Sequence, residues 1–424
     1  MTASGALVAR PGAPPGTSRA VRSGRWTWWR SGRRRAQDLR RPVHAVPRLG
    51  RRRFPGTAAD AELHEGRDAY DRPFALVLVP DTGHASLVLD LRPPVADLLP
   101  GDAARAWTGD LRRWLAGAAD DPELAGCAVS LLHAGAAPAV TLQLTYVTRG
   151  PQARTDPAAL AVELGSRLPH LAVGLARHGV GTARPVGAAD LLGVVDAAYD
   201  PAREPSPPGD PAGSRWSDAA SRDVAAAWDR LRHASGASIT WSLERIPPDA
   251  AMSGVLSRLV APGPDDGPWA VRARLTLLHR PVRPGRSATP PSDRDDWTGL
   301  PAVALRPGLD GAGGAGGAAD EDAAGGGARD ETGISLSPLL TVTVARRPRA
   351  SGGWPGDPGG QPDEGADEAL DAVVERVLTG VAPSLRPWLR PLYGAQAAGF
   401  AAAVPSGTLL GVHTAAPVVV REGP

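Results

Sequence analysis

Three segments between residues 188 and 282 show the clearest secondary-structure pattern in the chain: AADLLGVVDAAYDP (188–201), WDRLRHASGASITWSLERIPPDAAMSGVLSRLVAP (228–262) and WAVRARLTLLHRPV (269–282). We predict that they form helix, helix, strand, helix and strand. In Ile239–Leu243 every second residue is apolar, as a half-buried strand requires. Apolar residues recur at helical spacing in 251–260, and Asp249 before them can accept hydrogen bonds from the first amides of that helix.

The same order of elements is predicted twice along the chain. The first set comprises a strand at 85–91, a helix at 103–118, strands at 127–133 and 139–148, and a helix at 157–177; a strand at 74–80 precedes it and forms a hairpin with the strand at 85–91. The second set comprises a strand at 238–243, a helix at 250–260, strands at 269–279 and 334–344, and a helix at 368–378. Each set resembles the split βαβ order. We therefore predict an α+β fold of two ferredoxin-like units with mostly antiparallel sheets, bridged by helices.

Composition places the predicted domain boundaries. The chain has 424 residues with 51 Gly and 44 Pro, so part of its length is linker rather than core. We expect six regions: a disordered Arg/Trp-rich basic segment (1–57), the first α+β unit (66–187), bridging helices (188–232), the second α+β unit (233–411), a disordered Gly/Pro/acid-rich insertion inside it (281–331), and a C-terminal tail (412–424).

The N-terminal segment has an unusual composition of arginine and tryptophan. The chain contains no lysine, so all 47 of its basic residues are arginines, and lysine-based chemistry is excluded. Arginines interleaved with tryptophans can bind phosphates and stack on bases, or they can meet anionic lipid headgroups; a solvated basic tail is the third alternative. The candidate membrane or nucleic-acid contacts are Trp26, Trp28, Trp29, Arg30, Arg33, Arg34 and Arg35.

We find no catalytic motif in the sequence. Gly311, Gly313 and Gly316 match G-x-G-x-x-G, but they lie in a low-complexity run without the strand and helix that a dinucleotide site requires. The sequence has no G-x-S-x-G or H-E-x-x-H, and no histidine has a second ligand at metal-binding spacing. Cys127 is the single cysteine, which excludes a disulfide within the chain. We therefore predict no catalytic residue, no cofactor and no metal.

One group of residues in the segment VVDAAYDP is a candidate docking site. Asp196 and Asp200 are four residues apart, hence on one helical face, and like charges at this spacing mildly destabilise a helix. Paired carboxylates can divide acid and base roles, whereas Asp200 before Pro201 is also an ordinary helix end. We favour partner docking through Asp196, Tyr199 and Asp200, or an ion pair with an arginine, over catalysis.

Several segments resemble an actinobacterial protein family. They are WTWWRSGRRR (26–35), EGRDAYDRPFALVLVPDTGHASLVLDL (65–91), AADLLGVVDAAYDP (188–201), WDRLRHASGASITWSL (228–243), SGVLSRLVAP (253–262), VRARLTLLHRPV (271–282) and LRPLYGAQAAGFAAAVPSG (389–407). From about residue 26 onward the chain is similar to the EccE-like components of type VII (ESX) secretion and conjugative-element transfer machinery. The resemblance implies a non-enzymatic scaffold with two N-terminal transmembrane helices and a cytosolic domain.

The sequence departs from that family at its N-terminus. The family's transmembrane pair would precede residue 26, but no apolar run reaches the roughly 20 residues that span a bilayer, and no signal peptide is recognisable. We expect either an upstream start or a copy without the anchor. The expected location is the cytoplasm at the inner face of the plasma membrane, with other subunits of the complex as partners. The alternative function is nucleic-acid binding through the Arg/Trp-rich segment.

Overall fold

The computed structural model describes residues 50–94, 102–134, 139–148, 156–202, 216, 224–233, 235–243, 268–281, 334–346, 364–380, 386 and 389–414. Its strands are β1 (Arg51–Arg52), β2 (Ala61–Arg67), β3 (Pro73–Val79), β4 (His84–Arg92), β5 (Leu124–His133), β6 (Ala139–Val147), β7 (Thr182–Pro185), β8 (Ala225–Ala226), β9 (Leu231–His233), β10 (Gly236–Leu243), β11 (Trp269–Pro281), β12 (Ile334–Arg346) and β13 (Leu389–Pro391). The helices are α1 (Asp102–Ala118), α2 (Pro157–Arg177), α3 (Ala188–Tyr199), α4 (Glu364–Gly380) and α5 (Gln396–Ala403).

All the strands of the described residues belong to one sheet of 13 strands. Its order is β1-β2-β3-β4-β6-β5-β11-β12-β10-β9-β8, and β7 and β13 also pair with β4 and β10. Neighbouring strands run antiparallel throughout these described segments. The predicted α+β class with a mostly antiparallel sheet is therefore confirmed.

The two halves of the sheet repeat one pairing scheme. The first half contains the order β7-β4-β6-β5, and the second contains β13-β10-β12-β11. In the first half β3 pairs with the start of β4 and β7 with its end. In the second half β9 pairs with the start of β10 and β13 with its end. The halves meet where β5 pairs with β11, and the central pair of that junction is Ser130 with Thr276.

The register of these pairings aligns the sequences of the two halves. Residues 84–91 (HASLVLDL) correspond to 236–243 (GASITWSL), and residues 127–133 (CAVSLLH) correspond to 273–279 (ARLTLLH). The arginine–proline pair of β7 likewise corresponds to that of β13. An approximate two-fold axis at the Ser130–Thr276 pair therefore relates the halves.

Helices cover both faces of the sheet. On one face α1, α2 and α4 pack against alternate strand residues, and Trp107, Leu164 and Val373 contribute to this larger core. The other face carries α3 and α5 over two smaller apolar clusters. Local chemistry explains α2: Asp156 caps it by accepting hydrogen bonds from the amides of the next two non-proline residues at 3.1 and 3.0 Å, and Pro157 opens it.

Three sequence-based predictions require correction. A helix predicted after Trp228 is instead strand β9, because Leu231 and His233 point into the core and the segment turns back to pair with β10. The segment predicted to be disordered up to residue 57 is packed from residue 50, because Phe54 enters the core. His413, predicted to lie in the tail, is also buried. The predicted helix 250–260 and almost all of the insertion 281–331 lie outside the described residues.

Candidate functional site

The sheet face beneath α3 and α5 carries hydroxyl groups that bond across neighbouring strands. Ser86 Oγ lies 2.8 Å from Thr145 Oγ1 in the first half, and Ser238 Oγ lies 2.7 Å from Thr343 Oγ1 in the second. The register places these two pairs at equivalent positions. All four side chains are buried, so the bonds satisfy groups that would otherwise lose their hydration without compensation.

The junction between the halves holds the carboxyl end of α5. Ser130 Oγ and Thr276 Oγ1 are 2.7 Å apart, and they lie 3.0 and 3.1 Å from the carbonyl oxygen of Ala403. Ala403 is the last residue of α5, where carbonyl groups lack partners within the helix. The sheet therefore supplies the helix end with its hydrogen bonds at the approximate two-fold axis.

Two buried glutamines connect the C-terminal segment to the sheet. Gln396 Oε1 accepts from the amide of Thr240 at 2.7 Å, and Gln396 Nε2 donates to the carbonyl oxygen of Thr240 at 3.2 Å. The side-chain amide thus pairs with β10 as a neighbouring strand would, between the places where β9 and β13 pair. Gln143 Oε1 accepts from the amide of Gly407 at 2.9 Å. Residues 396–407 are in this way fastened to both halves.

The structure places the three predicted docking residues at the end of α3. Asp196 is 7% exposed and Tyr199 is 0% exposed. Asp200 Oδ1 accepts from Ser235 Oγ at 2.6 Å. Asp196 and Tyr199 therefore face the interior of this chain, and their contact with another protein stays a prediction.

Arg272 fastens the end of α3 to the sheet. Its Nη1 donates to the carbonyl oxygen of Ala197 at 3.0 Å, and its Nη2 donates to that of Pro201 at 2.6 Å. Cations are favourable at the carboxyl end of a helix because the last carbonyl groups carry partial negative charge. The alternative of an ion pair between these aspartates and an arginine stays a prediction.

Tyr199 lies in a buried aromatic cluster that sequence reasoning missed. Its ring stacks on Phe54 at 5.6 Å between centroids and meets the edge of Phe400 at 5.0 Å. Phe54 also meets Trp216 at 5.0 Å, and Trp216 Nε1 donates to the carbonyl oxygen of Ala61 at 3.1 Å. These rings come from four distant parts of the chain, so no local spacing pattern marks them.

His233 connects this cluster to the hydroxyl groups of the sheet. Its Nδ1 lies 3.0 Å from the carbonyl oxygen of Tyr199, and its Nε2 lies 2.7 Å from Ser238 Oγ. Since a carbonyl oxygen only accepts, Nδ1 carries the proton in the neutral ring. Burial lowers the pKa of His233 to about 4, so the ring is neutral at physiological pH.

A buried arginine, Arg274, lies beside the cluster. It is 7% exposed, and its Nη1 is 3.5 Å from the carbonyl oxygen of Ala403. Burial and the charge of Arg272 lower the pKa of Arg274 to about 10, so it remains a cation at neutral pH. Burial raises the pKa of Tyr199, while the charges of Arg52 and Arg274 act in the opposite direction.

Two histidines join the end of the C-terminal segment to the β3–β4 turn. His413 Nδ1 accepts from the amide of Leu409 at 3.1 Å, so its Nε2 carries the proton. That Nε2 lies 3.0 Å from His84 Nδ1 and 3.1 Å from Thr82 Oγ1. Burial, together with the charges of His84 and Arg280, lowers the pKa of His413 to about 3. The contact therefore requires a neutral His413.

An aromatic pair is exposed at the β8 end of the sheet. Trp228 is 66% exposed and Tyr393 is 47% exposed. Their rings are stacked with centroids 6.3 Å apart and an angle of 12° between planes. The amide of Gly394 donates to the carbonyl oxygen of Trp228 at 2.6 Å and holds the two turns together. This pair is a preformed surface for stacking.

The remaining sequence-based expectations concern reactive groups and the N-terminal segment. The seven candidate contacts between Trp26 and Arg35 lie outside the described residues. Burial raises the pKa of Cys127 to about 12, so its thiol stays protonated. No cluster of three or more potential metal ligands occurs within the described segments. In the same segments, no helix has the length and apolar character needed to cross a bilayer.

Comparisons with known proteins leave the family open. No protein-family model matches the chain, and no curated protein shows significant similarity to it.

Proposed function

We propose that this protein is a non-enzymatic structural component of a type VII-like secretion or conjugative transfer complex, in which its folded region docks other subunits at the membrane. The proposal rests on the resemblance to EccE-like components and on where the resembling segments lie. They include α3, β10, β11 and α5; β11 is one of the two strands that meet at the junction of the halves, and the end of α5 lies over that junction. The resemblance therefore concerns residues on which the fold depends.

Within this proposal each half of the sheet is a ferredoxin-like unit. The support is the repeated order β7-β4-β6-β5 and β13-β10-β12-β11, which is the order of strands four, one, three and two in a split βαβ unit. Helices α1 and α2 occupy the two crossovers of the first unit, and α4 occupies the second crossover of the other. The predicted helix 250–260 would occupy the remaining crossover.

A scaffold role also fits the use of polar groups in the described fold. The hydroxyl groups and glutamines of the sheet face bond to one another and to the C-terminal segment, and the rings around Tyr199 are buried. Those groups hold the fold together. The surface available to partners includes the outer side of α2, where Val162 and Val173 are exposed and eleven residues apart, hence on one side of the helix.

The test is crosslinking and fractionation of the C-terminally tagged protein in its native host. The proposal expects recovery of a secretion or transfer ATPase or a membrane subunit with the tag. Membranes are then washed with high salt and with alkaline carbonate. Release by salt alone would assign attachment to the Arg/Trp-rich segment, and a variant with Arg30, Arg33, Arg34 and Arg35 replaced by Gln would then be soluble. A tag that is wholly soluble and recovers no such subunit would contradict the proposal.

Nucleic-acid binding is the second candidate, and the exposed Trp228–Tyr393 pair favours it. Aromatic rings that are stacked and accessible can bind unpaired bases, and arginines add contacts to phosphates. The two aromatic residues that their strand positions suit to a sheet surface are less accessible: Trp241 is buried, and Trp269 is partly buried against the core. Binding of single-stranded DNA should fall with rising salt and weaken in Trp228→Ala. Binding that is insensitive to salt, or unchanged in Trp228→Ala and after removal of residues 1–49, would exclude this candidate.

A further inference from the structure

The exposed Trp228–Tyr393 pair lies on two turns that backbone hydrogen bonds hold in place. Trp228 belongs to the two-residue loop of the β8–β9 hairpin, which the Ala227 amide closes by donating to the Arg230 carbonyl oxygen at 2.8 Å. Tyr393 belongs to the turn between β13 and α5, and the bond from the Gly394 amide joins this turn to the hairpin loop. Both rings are therefore presented by fixed backbone, which lowers the entropic cost of binding a partner.

Turn chemistry does not explain the tryptophan in the hairpin loop. Two-residue loops favour Gly, Asn and Asp, yet Trp228 stands there with 66% of its surface exposed. The centroids of the Trp228 and Tyr393 rings are 6.3 Å apart, beyond the roughly 3.5–4 Å of direct carbon contact, so the rings leave part of each other's faces uncovered. Tryptophan is the best aromatic partner for a cation and is enriched at the energetically important positions of interfaces.

Two exposed carboxylates meet at the arginine that follows the loop. Asp229, the neighbour of Trp228, bonds Arg230 Nη2 at 2.8 Å, and Asp371 of α4 bonds the same nitrogen at 2.9 Å. The side chains of the two aspartates are 41% and 63% exposed, whereas that of Arg230 is 16% exposed. A partner at this surface therefore reaches the carboxylates more readily than the guanidinium that they share.

The charge of this cluster is negative. Asp367 of α4 bonds both Arg230 and Arg232, so three carboxylates share two guanidiniums and leave a net charge of −1 (2 − 3). The sequence of α4, EGADEALDAVVERVLTG, has five acidic residues and one arginine. Arg390 of β13 points to the other sheet face, because Leu389 before it packs into the larger core that α4 covers. Phosphates would therefore meet carboxylates here, whereas a cationic partner would meet hydrogen-bond acceptors.

We propose that the Trp228–Tyr393 pair and the carboxylates of Asp229 and Asp371 form a docking surface for an arginine-rich segment of a partner protein. A planar guanidinium stacks on an aromatic face while its N–H groups donate to carboxylates. Lysine suits the surface less well, because its compact ammonium group is strongly hydrated and has no plane to stack. The inference rests on the proposed docking function and deepens it by giving the chemistry of one partner.

Binding of a labelled octa-arginine peptide to the full chain, measured by fluorescence anisotropy, tests the proposal. Octa-lysine and single-stranded oligo-dT are the comparison probes. We expect octa-arginine to bind more tightly than octa-lysine, with a Kd that rises with salt because exposed ion pairs are screened. Trp228→Ala and Tyr393→Ala should each weaken octa-arginine binding about 10-fold, and both keep the backbone bonds that hold the turns. Asp371→Asn should weaken it about threefold.

Two surface variants serve as matched controls. Tyr70 is exposed at the β2–β3 turn, and Glu163 on α2 is an exposed carboxylate that also bonds an arginine, so Tyr70→Ala and Glu163→Gln should bind as the wild type does. The proposal is overturned if octa-arginine does not bind, if octa-lysine binds as tightly, or if Trp228→Ala and Tyr393→Ala both keep wild-type affinity.

The DNA probe separates the two classes of partner. If Trp228→Ala and Tyr393→Ala weaken binding of oligo-dT and leave that of octa-arginine unchanged, the rings serve nucleic acid and the proposal is overturned. The experiment uses purified protein and synthetic probes. Its failure would therefore leave the crosslinking test of the secretion or transfer complex unaffected.

Discussion

Ser130 and Thr276 face each other across the junction of β5 and β11, and their hydroxyl oxygens are 2.7 Å apart. Each belongs to a different half of the chain at the equivalent position, and both lie near the carbonyl oxygen of Ala403. One small group of atoms therefore joins the first half, the second half and the last helix of the described fold. Removal of either hydroxyl group should therefore destabilise both halves and α5 together.

We expect Thr276→Val to lower the free energy of unfolding by about 1–3 kcal/mol, because it leaves Ser130 and the Ala403 carbonyl short of a buried partner. Ser130→Ala should have a similar effect. The double variant should lose less than the sum of the two, since both hydroxyls then disappear together. Urea unfolding measures the free energy of unfolding of each variant, and Ser166→Ala on the exposed side of α2 is the control. Strict additivity would contradict a shared network.

Gln396→Met should detach the C-terminal segment from β10 without a change of side-chain length. The Thr240 amide loses its side-chain partner, while the Thr240 carbonyl keeps the hydrogen bond from the Leu392 amide, and the cost is about 1–3 kcal/mol. Hydrogen exchange at the Thr240 amide should become faster, while exchange within the β5–β6 pair remains slow. Unchanged protection of Thr240 would show that Gln396 is dispensable there.

Acid should destabilise the fold before its carboxylates titrate. Burial lowers the pKa of His233 to about 4, of His279 to about 3 and of His413 to about 3. Each imidazole is neutral in the folded chain but takes up a proton near pH 6.5 in the unfolded chain. Its contribution to the free energy of unfolding is therefore complete above that pH and declines as the pH falls toward the pKa of the folded state.

Between the folded pKa and pH 6.5, the free energy of unfolding should fall by up to about 1.4 kcal/mol per pH unit for each histidine. Between about pH 6 and 5 the carboxylates, with usual pKa values near 3.9 for Asp and 4.3 for Glu, contribute little to this slope. Denaturant titrations at several pH values should show the slope, and His279→Leu should reduce it by roughly one quarter to one third, since burial also lowers the pKa of His133. His170, which is exposed, provides the control as His170→Gln. A slope unaffected by His279→Leu would show that His279 does not contribute to the pH dependence of the free energy of unfolding.

Two helical glycines should respond in opposite ways to alanine. A Cβ on Gly165 in α2 would lie 2.7 Å from the carbonyl oxygen of Arg67 and 3.0 Å from Phe74, so Gly165→Ala should destabilise through overpacking, by about 1–3 kcal/mol. A Cβ on Gly193 in α3 would meet nothing within 4 Å, so Gly193→Ala should stabilise by about 0.5–1 kcal/mol. Thermal unfolding of both variants checks the two signs.

Local sequence signals predicted α2 and the β3–β4 hairpin because their determinants are neighbours in the chain. Asp156 and Pro157 open α2, and Gly179 follows its end with a φ of 76°. Strand β9 was missed because its two buried residues, Leu231 and His233, are too few to distinguish period two from helical spacing, and its pairing with β10 decides the conformation.

The candidate site was only partly predictable for a related reason. The sequence singled out Tyr199, but its neighbours Phe54, Trp216 and Phe400 come from segments far apart in the chain. Arg274 sits in a strand where arginine alternates with apolar residues, a pattern that ordinarily indicates a solvent-facing side. Only the position of α5 over that face shows that this arginine is buried.

Helix α5 follows every strand of the sheet in chain order, yet it covers the junction between the first half and the second. During synthesis the sheet face beneath α5 must therefore remain exposed to water until the ribosome has made nearly all of the described fold. That face presents serine, threonine and arginine side chains, which water solvates well, among the apolar residues of the two smaller clusters. The hydroxyl groups that later bind α5 therefore lower the apolar fraction of the surface that the unfinished chain exposes, and exposed apolar surface is what promotes aggregation.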